Sequence, residues 1–334
     1  MNRYQRQITL PQIGERGQEI LGKASVLVVG CGALGTHTAN ALVRAGLGKV
    51  TVVDRDYLER TNLHRLASLD EEDLHKPKAL ALKEKLTAVN SDVCLKTEVA
   101  DVNPQNIEGF VEGKDLVLDC TDNLLTRYLI NDACVKGDTP WIYAAVVGTT
   151  GMTMSIAPGR GPCFQCLFSE RPSPGSLPTC ETAGVVNTIP QAISALQVTA
   201  AYRLLQGELG ASGTLSIYDI WENELQQVQV EQNDNCSCCV EENFQFLEAE
   251  SGETSTTLCG REAIQVNPMD KNQVDLAHLA QRLSRSGEVT EGKGLVRVKL
   301  EDYLLTVFED GRAIIEGTED ETEARSLYSR YIGN

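Results

Sequence analysis

The sequence predicts an α/β protein: a Rossmann-like, mostly parallel sheet extended by antiparallel strands, a cysteine knuckle, and a small C-terminal α+β domain. Three observations predict it. Short branched apolar runs alternate with helical segments through the first half. A glycine-rich turn, Gly30-x-Gly32-x-x-Gly35, joins the first run to the first helix. Beyond about residue 141, strands follow one another through short turns. Taken in order, residues 25–29, 50–54 and 115–119 lack polar alternation, as strands covered on both faces do. The segment 35–45, ended by Gly46, and the segment 78–89 read as the crossover helices between them. Runs at 141–147, 152–157, 214–218 and 225–230 read as strands of an antiparallel extension, interrupted by a helix at 189–205. The stretch 169–180 carries three prolines and a glycine and reads as a loop.

The expected domains are 1–240, a linker at 241–257, and a small α+β domain at 258–334. In the last, helices are expected near 274–284 and 319–331, and strands near 294–299, 304–308 and 313–316. Asp310-Gly311 marks a tight hairpin turn between the last two strands. A formal charge of −17 excludes a general nucleic-acid binder, which needs basic surface to neutralise phosphates. Residues 241–334 hold 19 acidic against 10 basic residues, so the tail is the more acidic part. The polar start MNRYQRQITL has no secretory apolar region, and no apolar run is long enough to span a bilayer. A cytoplasmic protein without a membrane segment is expected. In that compartment the eleven cysteines read as thiols, with Cys31, Cys94, Cys120 and Cys134 expected to be small buried hydrophobes.

The glycine turn suits a nucleotide phosphate at a helix N-terminus, and Asp54, closing the next strand, suits ribose hydroxyls. That much fits a nicotinamide-dependent oxidoreductase equally well. The following residues separate the readings. DRDYLERTNLHR sets Asp54, Asp56, Asn62 and Arg65 just past a strand end, Lys78 opens the next helix, and Asp122 follows the strand at 115–119. Two cations and a carboxylate at one sheet edge suit a triphosphate with a divalent metal, which a dehydrogenase does not need.

Cys163-x-x-Cys166 and Cys236-x-x-Cys239 have the spacing of a four-thiolate structural zinc site, with Cys238 as a competing ligand in the second pair. Cys180, in PTCETAGV, reads as lying beside the start of a helix, where a thiol can become nucleophilic, although Glu181 opposes a thiolate. His37, His64, His75 and His278 show no metal-ligand spacing. His64 lies within the phosphate motif but reads as a surface residue.

GCGALG, DRDYLERTNLHR, HKPKA and DCTDN, with RYQRQ at the front, resemble the HesA/MoeB/ThiF family of ubiquitin-activating-type adenylyltransferases over about residues 3–239. The resemblance implies adenylation, with ATP and Mg²⁺, of the C-terminal Gly-Gly carboxylate of a ubiquitin-fold sulfur-carrier protein. It implies that Gly30, Gly32 and Gly35 form the ATP loop, that Asp54 holds the ribose and Asp56 lies in the same nucleotide site, that Asn62, Arg65 and Lys78 surround the phosphates, and that Asp122 holds Mg²⁺. Arg6 matches an arginine that such homodimers extend into the partner's ATP site. Cys180 matches the cysteine that accepts the carrier in the thiazole (thiamine) branch. The molybdopterin branch is the alternative, with the NAD-dependent oxidoreductase as a reading of another class. The tail is too short for a rhodanese domain, and Cys259 reads as a buried residue ahead of a strand, so an external sulfurtransferase or cysteine desulfurase is expected as a partner.

Overall fold

The computed structural model describes residues 2–169, 178–180, 182–208, 212–248, 255–257, 263–267 and 274–333. The chain divides into two units, 1–74 with 78–249, and 75–77 with 250–334.

The first unit runs α1 (Gln5–Ile8), α2 (Gly14–Lys23), β1 (Ser25–Val29), α3 (Ala33–Ala45), β2 (Lys49–Asp54), α4 (Lys78–Val89), β3 (Cys94–Val99) and α5 (Ile107–Val111). It continues through β4 (Leu116–Asp119), α6 (Leu124–Lys136), β5 (Trp141–Val147), β6 (Thr150–Ile156), α7 (Phe164–Leu167), α8 (Thr188–Leu205), β7 (Thr214–Asp219), β8 (Glu224–Gln229) and α9 (Gln245–Glu248). The sheet order is β3-β2-β1-β4-β5-β6-β7-β8. The strands from β3 to β5 are parallel and those from β5 to β8 antiparallel.

Why the early strands read as unbroken apolar runs is visible in where each side chain goes. Val26 and Val28 of β1 pack with Leu42 of α3, Leu82 of α4 and Ile193 of α8. Their neighbours Leu27 and Val29 pack on the opposite face with Ile107 of α5 and Tyr128 of α6. Both faces are covered, so no position in the strand has a reason to be polar. The strand β3 escaped the sequence reading because it alternates exposed and half-buried residues along the sheet edge. For the same reason Cys94, expected to be buried, is exposed, whereas Cys31, Cys120 and Cys134 are buried. Asp122 therefore follows the fourth strand in the chain, not the third.

Residues 241–248, expected as linker, carry α9, packed on α6. Phe246 stacks on Tyr128 with ring centroids 4.7 Å apart. At the other end, α1 is tied down. Tyr4 Oη accepts from Asn90 Nδ2 at 2.8 Å, and Arg3 Nη1 donates to the Val89 carbonyl at 3.0 Å. The Tyr4 ring packs over Gly46, which caps α3 at φ +79°, and a Cβ there would meet the ring at 2.2 Å.

The second unit is one antiparallel sheet, ordered β11-β12-β13-β14-β10-β9. Its elements are β9 (Ser255–Thr257), β10 (Ala263–Val266), α10 (Leu276–Leu283), β11 (Glu288–Gly292), β12 (Leu295–Lys299), β13 (Leu304–Phe308), β14 (Ala313–Glu316) and α11 (Glu321–Tyr331). It has its own core, built around Ile264, Leu279, Val298, Leu305, Ile315 and Tyr328. Gly311, at φ +82°, turns the β13–β14 hairpin. Cys259 lies outside the described residues. No described helix is long and apolar enough to cross a membrane.

Candidate active site

The winding of the sheet reverses between β1 and β4, which opens a crevice at the carboxyl ends of β1, β2 and β4. The glycine turn lines it. Gly30 takes φ +96°, and a Cβ on it would lie 2.6 Å from the Cys120 carbonyl oxygen. A Cβ on Gly35 would fall 1.9 Å from the Gly30 carbonyl oxygen, so α3 meets the turn only because that position is bare. At Gly32 a Cβ would meet nothing within 4 Å, which leaves the turn open on its outer side. Helix α3 begins just after it, at Ala33, with no side-chain cap. An open turn leading into an uncapped helix start is the geometry that receives a phosphate on backbone N–H groups.

Asp54 fixes this turn to the next one. Its carboxylate accepts from the Cys31 amide at 2.5 Å and from the Asp56 amide at 2.6 Å. Burial pushes its pKa up, against the pull of the Lys78 ammonium. The Lys78 side chain, only 8 % exposed, pairs through Nζ with Asp56 Oδ2 at 2.6 Å, and its own amide donates to the Asp56 carbonyl at 3.0 Å. Asp56 therefore sets both the start of α4 and the direction of the Lys78 ammonium.

Between them, Arg60–Arg65 forms a 3-10 turn whose buried Asn62 accepts from the Glu59 amide at 3.2 Å. Arg65, half-buried, donates to the Thr61 carbonyl at 2.9 Å. The Thr36 hydroxyl on α3 accepts from the Ala67 amide at 3.0 Å, which ties this segment to the glycine turn. His64 is exposed, with Nδ1 3.0 Å from the Thr61 carbonyl oxygen. Asp122 is exposed in the bend after β4, and Arg6 is exposed on α1. Gly30, Gly32, Asp54, Asp56 and Asp122 thus lie at or just past the carboxyl ends of β1, β2 and β4, with Asn62 and Arg65 on the turn beyond β2 and Lys78 at the start of α4, bonded back to Asp56.

Two cations escaped the sequence reading. Arg55, between the two aspartates, pairs with Asp101 at 3.1 Å. Burial opposes its charge, but Asp101, Asp122 and Asp56 outweigh that and raise its pKa. Arg127 of α6 pairs with the fully buried Asp119 at 3.2 Å, and Asp119, Tyr143 and Asp122 likewise outweigh its burial. The signal for Arg55 lay in the run DRD itself. For Arg127 it lay in its position one helical turn past the start of α6, facing back toward β4.

Cys180 is half-buried with Sγ 3.3 Å from the Val146 carbonyl oxygen. It does not adjoin a helix start, because α8 begins at Thr188. Gly184, at φ +75°, and the exchange of backbone hydrogen bonds between Gly148 and residues 184 and 186 hold residues 184–186 against the end of β5. Residues 170–177 and Glu181 lie outside the described residues.

On the opposite face of the sheet, Cys163, Cys166, Cys236 and Cys239 bring their sulfurs within 4.8 Å of one another, the one such group among the described residues. The Cys163–Cys236 and Cys166–Cys239 sulfur separations are 3.6 and 3.5 Å. A tetrahedral zinc with Zn–S bonds of about 2.3 Å needs sulfurs about 3.8 Å apart, so the four thiols fit the ion. Cys238 is not in the group: it points inward and accepts from Asn131 Nδ2 at 3.1 Å.

Residues 4–239 match the ThiF family. The chain belongs to that family. The match spans the glycine turn, the charged edge of the crevice and both cysteine pairs. Among ThiF-like relatives, the sulfur carrier protein ThiS adenylyltransferase of Bacillus subtilis (strain 168) is 38 % identical over 336 residues, covering 99 % of each chain. A sulfur carrier protein adenylyltransferase of Thermus thermophilus is 37 % identical over 252 residues, covering 73 % of this chain and 93 % of the other. The crystal structure of E. coli MccB + ATP has the same fold, with a TM-score of 0.63 at 21 % identity, over 71 % of this chain and 74 % of that one.

Proposed function

We propose that the chain adenylates the C-terminal Gly-Gly carboxylate of a ubiquitin-fold sulfur-carrier protein. The observation that carries this reading is the end-to-end likeness to a ThiS adenylyltransferase, together with the cations and carboxylates gathered at one sheet edge. In the reaction, a carrier carboxylate oxygen forms a bond to the α-phosphorus of ATP as the bond to the pyrophosphate oxygen breaks. No proton moves, so the barrier is lowered by placed positive charge rather than by a general base. The open turn at Gly30 and Gly32 receives phosphate on backbone amides, and Asp54 accepts from the ribose. Asn62, Arg65 and Lys78 surround the phosphates, and Asp122 offers the carboxylate for Mg²⁺, which would neutralise charge on the leaving pyrophosphate. Lys78, held by Asp56 within the crevice, is aimed before nucleotide arrives, which limits the reorganisation needed at the reactive moment.

Arg6 would complete the site of a second copy in a homodimer. The four knuckle thiols would hold a structural zinc. The relative of matching length is named for ThiS, which favours the thiazole branch over the molybdopterin branch. The sulfur would come from an external sulfurtransferase or cysteine desulfurase.

The test is ATP–pyrophosphate exchange with each candidate carrier, intact and lacking its terminal Gly-Gly. Exchange should appear with one intact carrier only, fall at least a hundredfold in Asp122→Ala, and survive in Cys180→Ser, since adenylation uses no thiol. No exchange with any carrier by a chain that binds ATP would overturn the reading.

A further inference from the structure

We infer that Arg127 is a positioning residue that holds the turn carrying Asp122 at the nucleotide edge, with Asp119 as its counterpart. The inference rests on the reading of Asp122 as the Mg²⁺ carboxylate.

Only four residues, 120–123, join β4 to α6, and Asp122 projects from them into solvent. Beneath that turn lies a closed set of bonds. The fully buried Asp119 takes the Thr121 amide at 2.9 Å and the Thr121 hydroxyl at 2.7 Å through Oδ1, and the Arg127 Nε at 3.2 Å through Oδ2. Arg127 Nη2 donates to the Thr121 carbonyl at 2.6 Å and lies 3.4 Å from the Ala144 carbonyl oxygen on β5. The guanidinium sits over the Tyr143 ring, 5.3 Å from its centroid. On the far side of Asp122, Asn123 Oδ1 caps the Thr126 amide at 2.8 Å.

The peptide before Asp122 is therefore gripped by a guanidinium, and the residue after it by a helix cap. A buried ion pair is a poor stabiliser compared with apolar side chains of equal volume. What this one supplies is direction. The planar fork of an arginine meets a carboxylate and a carbonyl at once, a geometry that an ammonium cannot copy. A carboxylate meant for a small hard cation needs that precision, because Mg²⁺ accepts only near-ideal octahedral geometry.

The experiment compares Arg127→Met, Arg127→Lys and Asp119→Asn with Asp122→Ala in the full chain. Calorimetric titration with AMP-CPP, with and without Mg²⁺, reads binding directly, and the Mg²⁺ dependence of pyrophosphate exchange gives the half-saturating concentration. Arg127→Met should weaken only the Mg²⁺-dependent part of AMP-CPP binding, about tenfold, and raise the half-saturating Mg²⁺ by a similar factor. High Mg²⁺ should recover its exchange, and Arg127→Lys should fall between Met and the parent. Equal loss with and without Mg²⁺, or no loss in Arg127→Lys and Asp119→Asn, would overturn the inference. Should Asp122→Ala itself leave the Mg²⁺-dependent part of binding intact, the reading of Asp122 fails, and the inference with it. A loss in Asp122→Ala without one in the Arg127 and Asp119 variants would sink the inference alone.

Discussion

At the scale of single residues, the sequence exposes chemistry more readily than support. Asp54 and Asp122 stand at or just past strand ends, and Arg65 and Lys78 on the segment that follows β2, so position and charge together single them out. Asp119 also closes a strand, but it sits in an apolar run and is fully buried, and Arg127 lies inside a helix. Their pairing exists only because α6 turns back over the end of β4, and no element is assigned there from the sequence. His37 is another such residue. It lies in α3, half-buried, with a backbone hydrogen bond to Arg65. Burial lowers its pKa below 6.5, and that hydrogen bond only partly opposes the shift. The unfolded chain thus binds more protons than the folded one in the window below pH 6.5. The stability this contributes is complete above pH 6.5 and is lost as pH falls through it toward the folded value. Thermal unfolding at pH 7.5 and 5.5 should show a larger drop in the parent than in His37→Gln. Equal drops would remove His37 from the account.

At the scale of elements, the periodic signal reports how many faces of a strand are covered. It was clear for β1, β2 and β4, covered on both faces, and silent for β3 at the edge. The knuckle was legible as two CxxC pairs, but its attachment was not, because the partners are 33 to 114 residues apart. Asn131 of α6 accepts from the Phe164 amide at 2.9 Å and donates to Cys238. Asp132 beside it accepts from Gln165 Nε2 at 2.8 Å and from the Phe246 amide at 2.9 Å. Two adjacent residues of one helix thus grip both halves of the knuckle, and Cys238 belongs to the grip rather than to the ligand set. The purified chain should carry about one zinc, lost in Cys163→Ser and Cys239→Ser with a fall in melting temperature, and kept in Cys238→Ser. Metal analysis beside thermal unfolding decides it, and zinc loss from Cys238→Ser alone would contradict this assignment.

At the scale of the whole molecule, the separate cores of the two units lead to a further expectation. Scanning calorimetry should resolve two transitions, with Leu305→Ala lowering only one, by an amount matching about 2–5 kcal/mol of lost packing. A single transition moved as a whole would mean that the units unfold together. The anchoring of α1 has a wider consequence. A charged side chain at a chain end ordinarily wanders through many orientations, and a contact made to another molecule must first quench that freedom. Arg6 follows Tyr4 by two residues, and Tyr4 is pinned over Gly46 and against Asn90. Its backbone is already immobilised, so only side-chain rotamers would remain to be frozen in the homodimer proposed above. The weak link in such a trans contact would be Tyr4 rather than the arginine: loosening its ring would dilute the local concentration of the charge without removing it.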